Sequence, residues 1–316
     1  MPLKSGELIL ATYTSPEKYN ELKEAIIGGD YGTVTCIVES GYDVNTIDAF
    51  LRLPLHYAVL YDQVKIVEYL VSQGAFVRYP PWPKWYTCFT TPFHCAIRKD
   101  NLSLAEYLLE KGADIQALDA SGETAFHYAC RENKLVTLRF LLDHGFNLEA
   151  SDNSIYFYPI KNGFFEIVSF LIDVGIDLNA KTKYYQQPLF YAIDYGRPEI
   201  VKLLIEKGAY VNHEKLNYLE GATEKGFTEI AEILIENQIT GSDKALFYAA
   251  DHGMGKIVKA LLENGADLNI RVDRRPLLHA ACRGGLKWFV RSLLEQGINT
   301  DTKGFNCGAI YNASWG

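Results

Sequence analysis

Six segments of this chain can be written one beneath another in register, and that repetition limits its fold more than any single motif. They are "PLHYAVLYDQVKIVEYLVSQGA" (54–75), "PFHCAIRKDNLSLAEYLLEKGA" (92–113), "AFHYACRENKLVTLRFLLDHGF" (125–146), "PLFYAIDYGRPEIVKLLIEKGA" (188–209), "ALFYAADHGMGKIVKALLENGA" (245–266) and "LLHAACRGGLKWFVRSLLEQGI" (277–298). Each reads as a short helix, opened in most copies by Pro or Ala, then a polar break, a second amphipathic helix and a closing glycine. Weaker copies run over 19–42, 155–176 and 218–239. The closing residues are Gly41, Gly74, Gly112, Gly145, Gly175, Gly208, Gln238, Gly265 and Gly297, at spacings of 33, 38, 33, 30, 33, 30, 27 and 32. Units this short cannot bury an apolar face alone, so each must stack on its neighbours.

The period and the segment "TPFHCA" (91–96) resemble the ankyrin repeat family. The segments "GADIQALD" (112–119), "GIDLNAKT" (175–182) and "GADLNIRVD" (265–273) are similar to that family's turn after the second helix. The resemblance covers residues 19 to roughly 300 and implies an all-α curved solenoid of about nine helix-turn-helix repeats with hairpin-like finger loops. Thr91 is placed to cap a helix and Pro92 to occupy its first position, where a missing N–H costs nothing. The small residues Ala58, Ala96, Ala129, Ala192, Ala222, Ala249 and Ala281 share one slot and would let neighbouring repeats approach.

The expected organisation is an N-terminal extension (1–18), a repeat array (19–300) and a partial repeat or C-terminal cap (301–316). Within the array stand a capping repeat (19–48), a long finger (76–90) and degenerate repeats near 151–180 and 212–242. Pro159 stands in the Ala slot of the fifth repeat, where a helix-interior proline costs about 3 kcal/mol, so that helix is expected to be shortened or restarted. The seventh repeat has neither Pro nor His at its start and has Gln238 for the closing glycine.

Nothing in the chain requires catalysis. His56, His94, His127 and His279 share one slot, which Phe157, Phe190 and Phe247 fill in other repeats. A site that needs imidazole does not accept phenyl, so packing and backbone hydrogen bonds are the expected role. Cys88, His94 and Cys95 invite a zinc interpretation but lack paired ligand spacing. Cys130 and Cys282 share one helix-packing slot. Asn45, Asn179 and Asn269 end the turn motif, where the resemblance implies a turn-stabilising role. No P-loop, HExxH or GxGxxG is present, and the expected cofactor is none.

The net charge is −8 with a sequence pI near 5.5, which argues against a general nucleic-acid or anionic-membrane binder. No apolar run reaches the length of a membrane span, the start does not read as a Sec signal peptide, and six cysteines without framework spacing suit a reducing compartment. A monomer in the cytoplasm is expected.

The resemblance implies a protein partner bound along a concave face made of fingers and first-helix ends. By register those ends include Tyr61, Arg98–Lys99, Arg131, Lys161 and Asp194–Tyr195, turning from apolar through basic to mixed. The finger "RYPPWPKWYTCF" (78–89) is five residues longer than the period allows and holds Tyr79, Trp82, Trp85, Tyr86 and Phe89, with Arg78 and Lys84 at its rim. Such aromatics either contact a partner or fold back over the groove. The expected function is a non-catalytic scaffold or adaptor. Irregular arrays rich in Tyr, Phe and Asn also resemble those of intracellular bacteria, protists and large viruses, which points to an effector in a host cytoplasm. The alternatives are the targeting module of a larger multidomain enzyme or ubiquitin-ligase adaptor, and an enzyme hidden in repeats 5 to 7.

Overall fold

The computed structural model describes residues 16–48, 50, 52–78, 90–148, 153–179, 187–211, 217–239 and 243–297. Among them stand eighteen α-helices and one two-stranded ribbon. The chain forms two compact units, Met1–Ile155 and Tyr156–Gly316. The first unit stacks four helical hairpins: α1 (Pro16–Gly28) with α2 (Tyr31–Glu39), α3 (Pro54–Leu60) with α4 (Val64–Ser72), α5 (Pro92–Arg98) with α6 (Leu102–Glu110), and α7 (Ala125–Arg131) with α8 (Leu135–Asp143). The second unit stacks five: α9 (Phe157–Asn162) with α10 (Phe165–Asp173), α11 (Pro188–Asp194) with α12 (Pro198–Glu206), α13 (Tyr218–Glu224) with α14 (Thr228–Glu236), α15 (Asp243–Asp251) with α16 (Gly255–Glu263), and α17 (Leu277–Arg283) with α18 (Lys287–Glu295).

Two backbone positions fix every hairpin. The chain turns left-handed after each first helix, at Gly29, Asp62, Asp100, Asn133, Gly163, Gly196, Gly226, Gly253 and Gly285. It does so again after each second helix, at Gly41, Gly74, Gly112, Gly145, Gly175, Gly208, Gln238, Gly265 and Gly297. The two positions stand 12 residues apart in every repeat, as Gly29 and Gly41 show. All the variation in spacing along the chain therefore lies in the connections between hairpins. Two of the non-glycine first turns use their side chains: Asp62 Oδ1 accepts from Asn101 Nδ2 (3.1 Å) and Asp100 Oδ1 from Thr137 Oγ1 (2.6 Å) in the following repeat.

The core sits between hairpins. The slot alanines Ala58, Ala96, Ala129, Ala192, Ala222, Ala249 and Ala281 are all fully buried, and consecutive first helices touch within each unit. From α4 onward the second helices bury an i, i+1, i+4 set, as in Ile66, Val67 and Leu70 of α4 and Ile257, Val258 and Leu261 of α16. Burying one such side chain contributes about 1.5–3 kcal/mol. Thr91 caps α5 by accepting from the His94 amide (3.2 Å), and Pro92 follows at the first helical position.

The irregular repeats keep this frame. A 3-10 turn at Asn153–Tyr156 precedes α9, so the helix restarts two residues before Pro159. Pro159 thereby falls in the first turn, where its missing N–H has no intrahelical partner, and the interior penalty is avoided. In the seventh repeat Asn217 does the work of the absent Thr-Pro, its side chain accepting from the Glu220 amide (3.0 Å). Gln238 takes the left-handed turn itself, at φ 59°. One finger is a true hairpin: β1 (Arg271–Val272) pairs antiparallel with β2 (Arg275–Pro276), and Asp273 and Arg274 between them both have positive φ.

Candidate partner-binding surface

Two fingers of the first unit are built to one plan. Asp48 Oδ1 accepts from the amides of Phe50 and Arg52 (2.8 Å each), and Oδ2 accepts from the Tyr57 hydroxyl (2.5 Å) on α3. Asp119 Oδ1 accepts from the amides of Ser121 (2.8 Å) and Glu123 (2.9 Å), and Oδ2 from the Tyr128 hydroxyl (2.7 Å) on α7. The carboxylate closes the turn on one side and clasps it to the helix on the other. Burial first, then the facing carboxylate, pushes the Tyr57 phenol up to about 12 and raises Tyr128 as well, so both remain proton donors. Cations stack on the clasps: Arg52 lies 5.8 Å from the Tyr57 ring, Lys23 5.0 Å from the same ring, and Arg131 4.5 Å from Tyr128. The fixed fingers leave Phe50 62% and Leu118 63% exposed.

The residues singled out by sequence fall into three situations. Tyr61 (50% exposed), Arg98 and Lys99 sit at first-helix ends with open side chains. Lys134 reaches the same helix end, its Nζ donating to the carbonyls of Arg98 (2.6 Å) and Ile97 (3.1 Å) while its charge is paired with Glu132 (3.1 Å). Arg131, expected as a free basic end, is instead drawn back onto its own finger by Glu123 (2.6 Å). In the second unit Lys161 lies over the rings of Phe157 (5.5 Å) and Tyr195 (5.7 Å), bringing Lys161 and Tyr195 together. Asp194 is paired with Lys225 (2.8 Å). The aromatic finger residues Tyr79, Trp82, Trp85, Tyr86 and Phe89, with Lys84, lie outside the described residues. Of the described residues on either side, Arg78 pairs with Asp114 (3.2 Å), and the Thr90 carbonyl accepts from His56 Nε2 (2.9 Å).

The buried histidines are structural. His56 Nδ1 accepts from the Leu53 amide (3.0 Å), which fixes the proton on Nε2. His127 Nδ1 accepts from the Thr124 amide (3.1 Å), and His94 Nδ1 lies 2.8 Å from Thr91 Oγ1. Burial pushes His56 and His94 down to about 4. Cys88 lies outside the described residues, and Cys95 packs in the core with its Sγ 3.6 Å from Thr90 Oγ1. No group of three or more His, Cys, Asp or Glu among the described residues could hold a metal ion. Asn45 and Asn179 tie consecutive turns: Asn45 Oδ1 accepts from the Phe76 amide (2.8 Å) and Asn179 Oδ1 from the Tyr210 amide (2.7 Å). No helix among the described residues is long and apolar enough to cross a membrane.

Sequence reasoning missed Lys23, Arg52, Lys134 and the two clasps. The clasps carry a signal: an Asp followed nine residues later by Tyr, seen at Asp48–Tyr57 and Asp119–Tyr128.

The family model for ankyrin repeats, written for three copies, matches residues 22–119, 93–182, 150–215, 181–245 and 219–304. A putative ankyrin repeat protein of Acanthamoeba polyphaga mimivirus is 31% identical over 176 residues, 50% of this chain and 23% of that protein. An ankyrin repeat and KH domain-containing protein of Caenorhabditis briggsae is 30% identical over 142 residues, 43% of this chain and 5% of that protein. A putative ankyrin repeat protein of fowlpox virus is 31% identical over 137 residues, 41% of this chain and 20% of that protein. The aligned part thus spans less than a quarter of the length of these relatives.

Proposed function

This chain belongs to the ankyrin repeat family, and we propose that it is a non-catalytic scaffold or adaptor that binds a protein through its fingers and first-helix ends. The observation that carries this is in the first unit. Clasped fingers hold Phe50 and Leu118 in solvent, Arg52 lies 5.7 Å from the Phe50 ring, and Arg98 and Lys99 stand exposed at a first-helix end of the same unit, in a chain whose net charge is −8. Apolar anchors beside a local charge opposite to that of the whole molecule suit an acidic protein segment with apolar side chains. The aromatic finger at 79–89 belongs to the same proposed surface. Two of the relatives are viral proteins, which fits a role as an effector in the cytoplasm of a host cell.

The test is affinity capture from a cell lysate by three chains: wild type, Arg98→Glu/Lys99→Glu, and Trp82→Ala/Trp85→Ala/Tyr86→Ala, each with a thermal melt. Loss of one captured protein at unchanged melting temperature supports the surface, and loss by the charge variant should deepen at low salt. Identical capture by all three chains rejects it.

A further inference from the structure

The first helix of the seventh repeat, α13, has Gly221 at its centre. Counting five residues back from the first left-handed turn, the same position holds Tyr57, Tyr128, Tyr158, Tyr191 and Tyr248 in five other repeats. The backbone does not require glycine there: Gly221 is helical, without positive φ, and a Cβ would meet nothing within 4 Å. A glycine inside a helix is a liability relative to alanine, and no close approach offsets it. What the missing side chain leaves is a notch of about 50 Å³ between α11 and α13, with Phe190, Ile193, Asn217 and Tyr218 around it. Small-molecule sites occupy roughly 300–1,000 Å³, so this one is far too small for them and large enough for part of one side chain.

Charge at the mouth narrows the occupant. Lys225 and Asp194 line the notch and neutralise each other at 2.8 Å, and Lys225 Nζ also donates to the Asp194 carbonyl (3.0 Å). Nearby, Glu220 is paired with Lys244 (3.6 Å), and Asp273 with Arg275 (3.7 Å), which also lies over the Phe247 ring. Glu224, one turn beyond Gly221, is exposed and has no ion pair among the described residues. The field here is negative: after burial, the carboxylates of Glu224, Glu220 and Asp273 raise the phenol of Tyr248 on α15, against Arg275.

We propose that the Gly221 notch receives one small branched aliphatic side chain from an extended segment of a partner protein, with a Lys or Arg beside it to meet Glu224. This rests on the reading of the first-helix face as protein-binding, and it adds a second contact of opposite charge preference to the basic one in the first unit.

The experiment titrates the full isotope-labelled chain with synthetic 12-residue peptides and follows backbone amide shifts by NMR. The probes carry Lys-Val-Lys, Glu-Val-Glu or Lys-Gly-Lys at the centre of a Gly/Ser background. Shifts should centre on Gly221, Asn217 and Phe190 with the Lys-Val-Lys peptide, and binding should weaken at least about tenfold with either other peptide or in Gly221→Leu, which fills the notch. Gly221→Ala should melt above wild type. The proposal fails if Gly221→Leu binds Lys-Val-Lys as wild type does, if the three peptides behave alike, if no shifts reach Gly221, or if Gly221→Ala melts lower. The Arg98→Glu/Lys99→Glu chain should bind Lys-Val-Lys like wild type. If it keeps that binding but captures the lysate partner unchanged, the first-unit surface falls while the notch stands.

Discussion

Lowering the pH from about 7.5 to about 5 should destabilise the first unit through two buried histidines. His56 and His94 are held neutral in the fold, and burial depresses both to about 4, against about 6.5 for an unfolded chain. As pH falls through 6.5 the unfolded chain takes up these protons and the folded chain does not. Stability is therefore full above 6.5, declines between 6.5 and 4, and declines no further from this source once the folded histidines also titrate. At about pH 5 the linkage relation gives a loss of about 2 kcal/mol per histidine, or about 4 kcal/mol for the pair. Most carboxylates remain ionised at that pH, which keeps the window specific to imidazole. The assay is urea unfolding at the two pH values for wild type, His56→Gln and His94→Gln. Each variant loses stability at neutral pH because a buried partner is left unpaired, by about 1–3 kcal/mol, yet its pH-dependent loss should be about half that of wild type. Equal stability at the two pH values, or an undiminished pH-dependent loss in both variants, would refute the account of neutral, hydrogen-bonded imidazoles.

Two substitutions test the hairpin frame in opposite directions. In Gly284→Ala the new Cβ lands against the Ala250 carbonyl oxygen and within 2.7 Å of the Gly253 amide, both backbone atoms at the end of α15. The variant should lose about 1–3 kcal/mol or more in urea unfolding, and wild-type stability would contradict the close approach of α15 and α17. Gln238→Gly relieves a non-glycine residue at φ 59° and should gain about 0.5–1 kcal/mol. A lower melting temperature would mean that the Gln238 side chain contributes more than its backbone strain costs.

The helical hairpins were legible in the sequence because their constraints are local. A left-handed turn asks for Gly, Asn or Asp, a slot between helices asks for Ala, and both recur at fixed offsets. Where a local rule was broken, sequence could place the fault but not its remedy. Pro159 reads as a defect only if the helix begins where its neighbours begin. The 3-10 turn at Asn153–Tyr156 moves the start and removes the conflict. Arg131 shows the converse limit. Helical register correctly put it at a first-helix end, yet register counts positions and not partners. Glu123 lies eight residues upstream, in a finger whose fold-back depends on Asp119.

These cases divide the chain by kind of information. The 12-residue frame between left-handed turns is the same in all nine repeats, so it cannot by itself distinguish one partner from another. What differs from repeat to repeat is the length and chemistry of the fingers, and the side chain at the middle of each first helix. In the first unit the Asp-Tyr clasps use that middle position to fix fingers, at Tyr57 and Tyr128. In the seventh repeat the same position is empty at Gly221 and leaves a notch. One register position thus serves two ends within the chain: Tyr57 and Tyr128 use it to hold their own fingers, and Gly221 vacates it beside Phe190 and Tyr218, where the proposed contact with a foreign side chain would form.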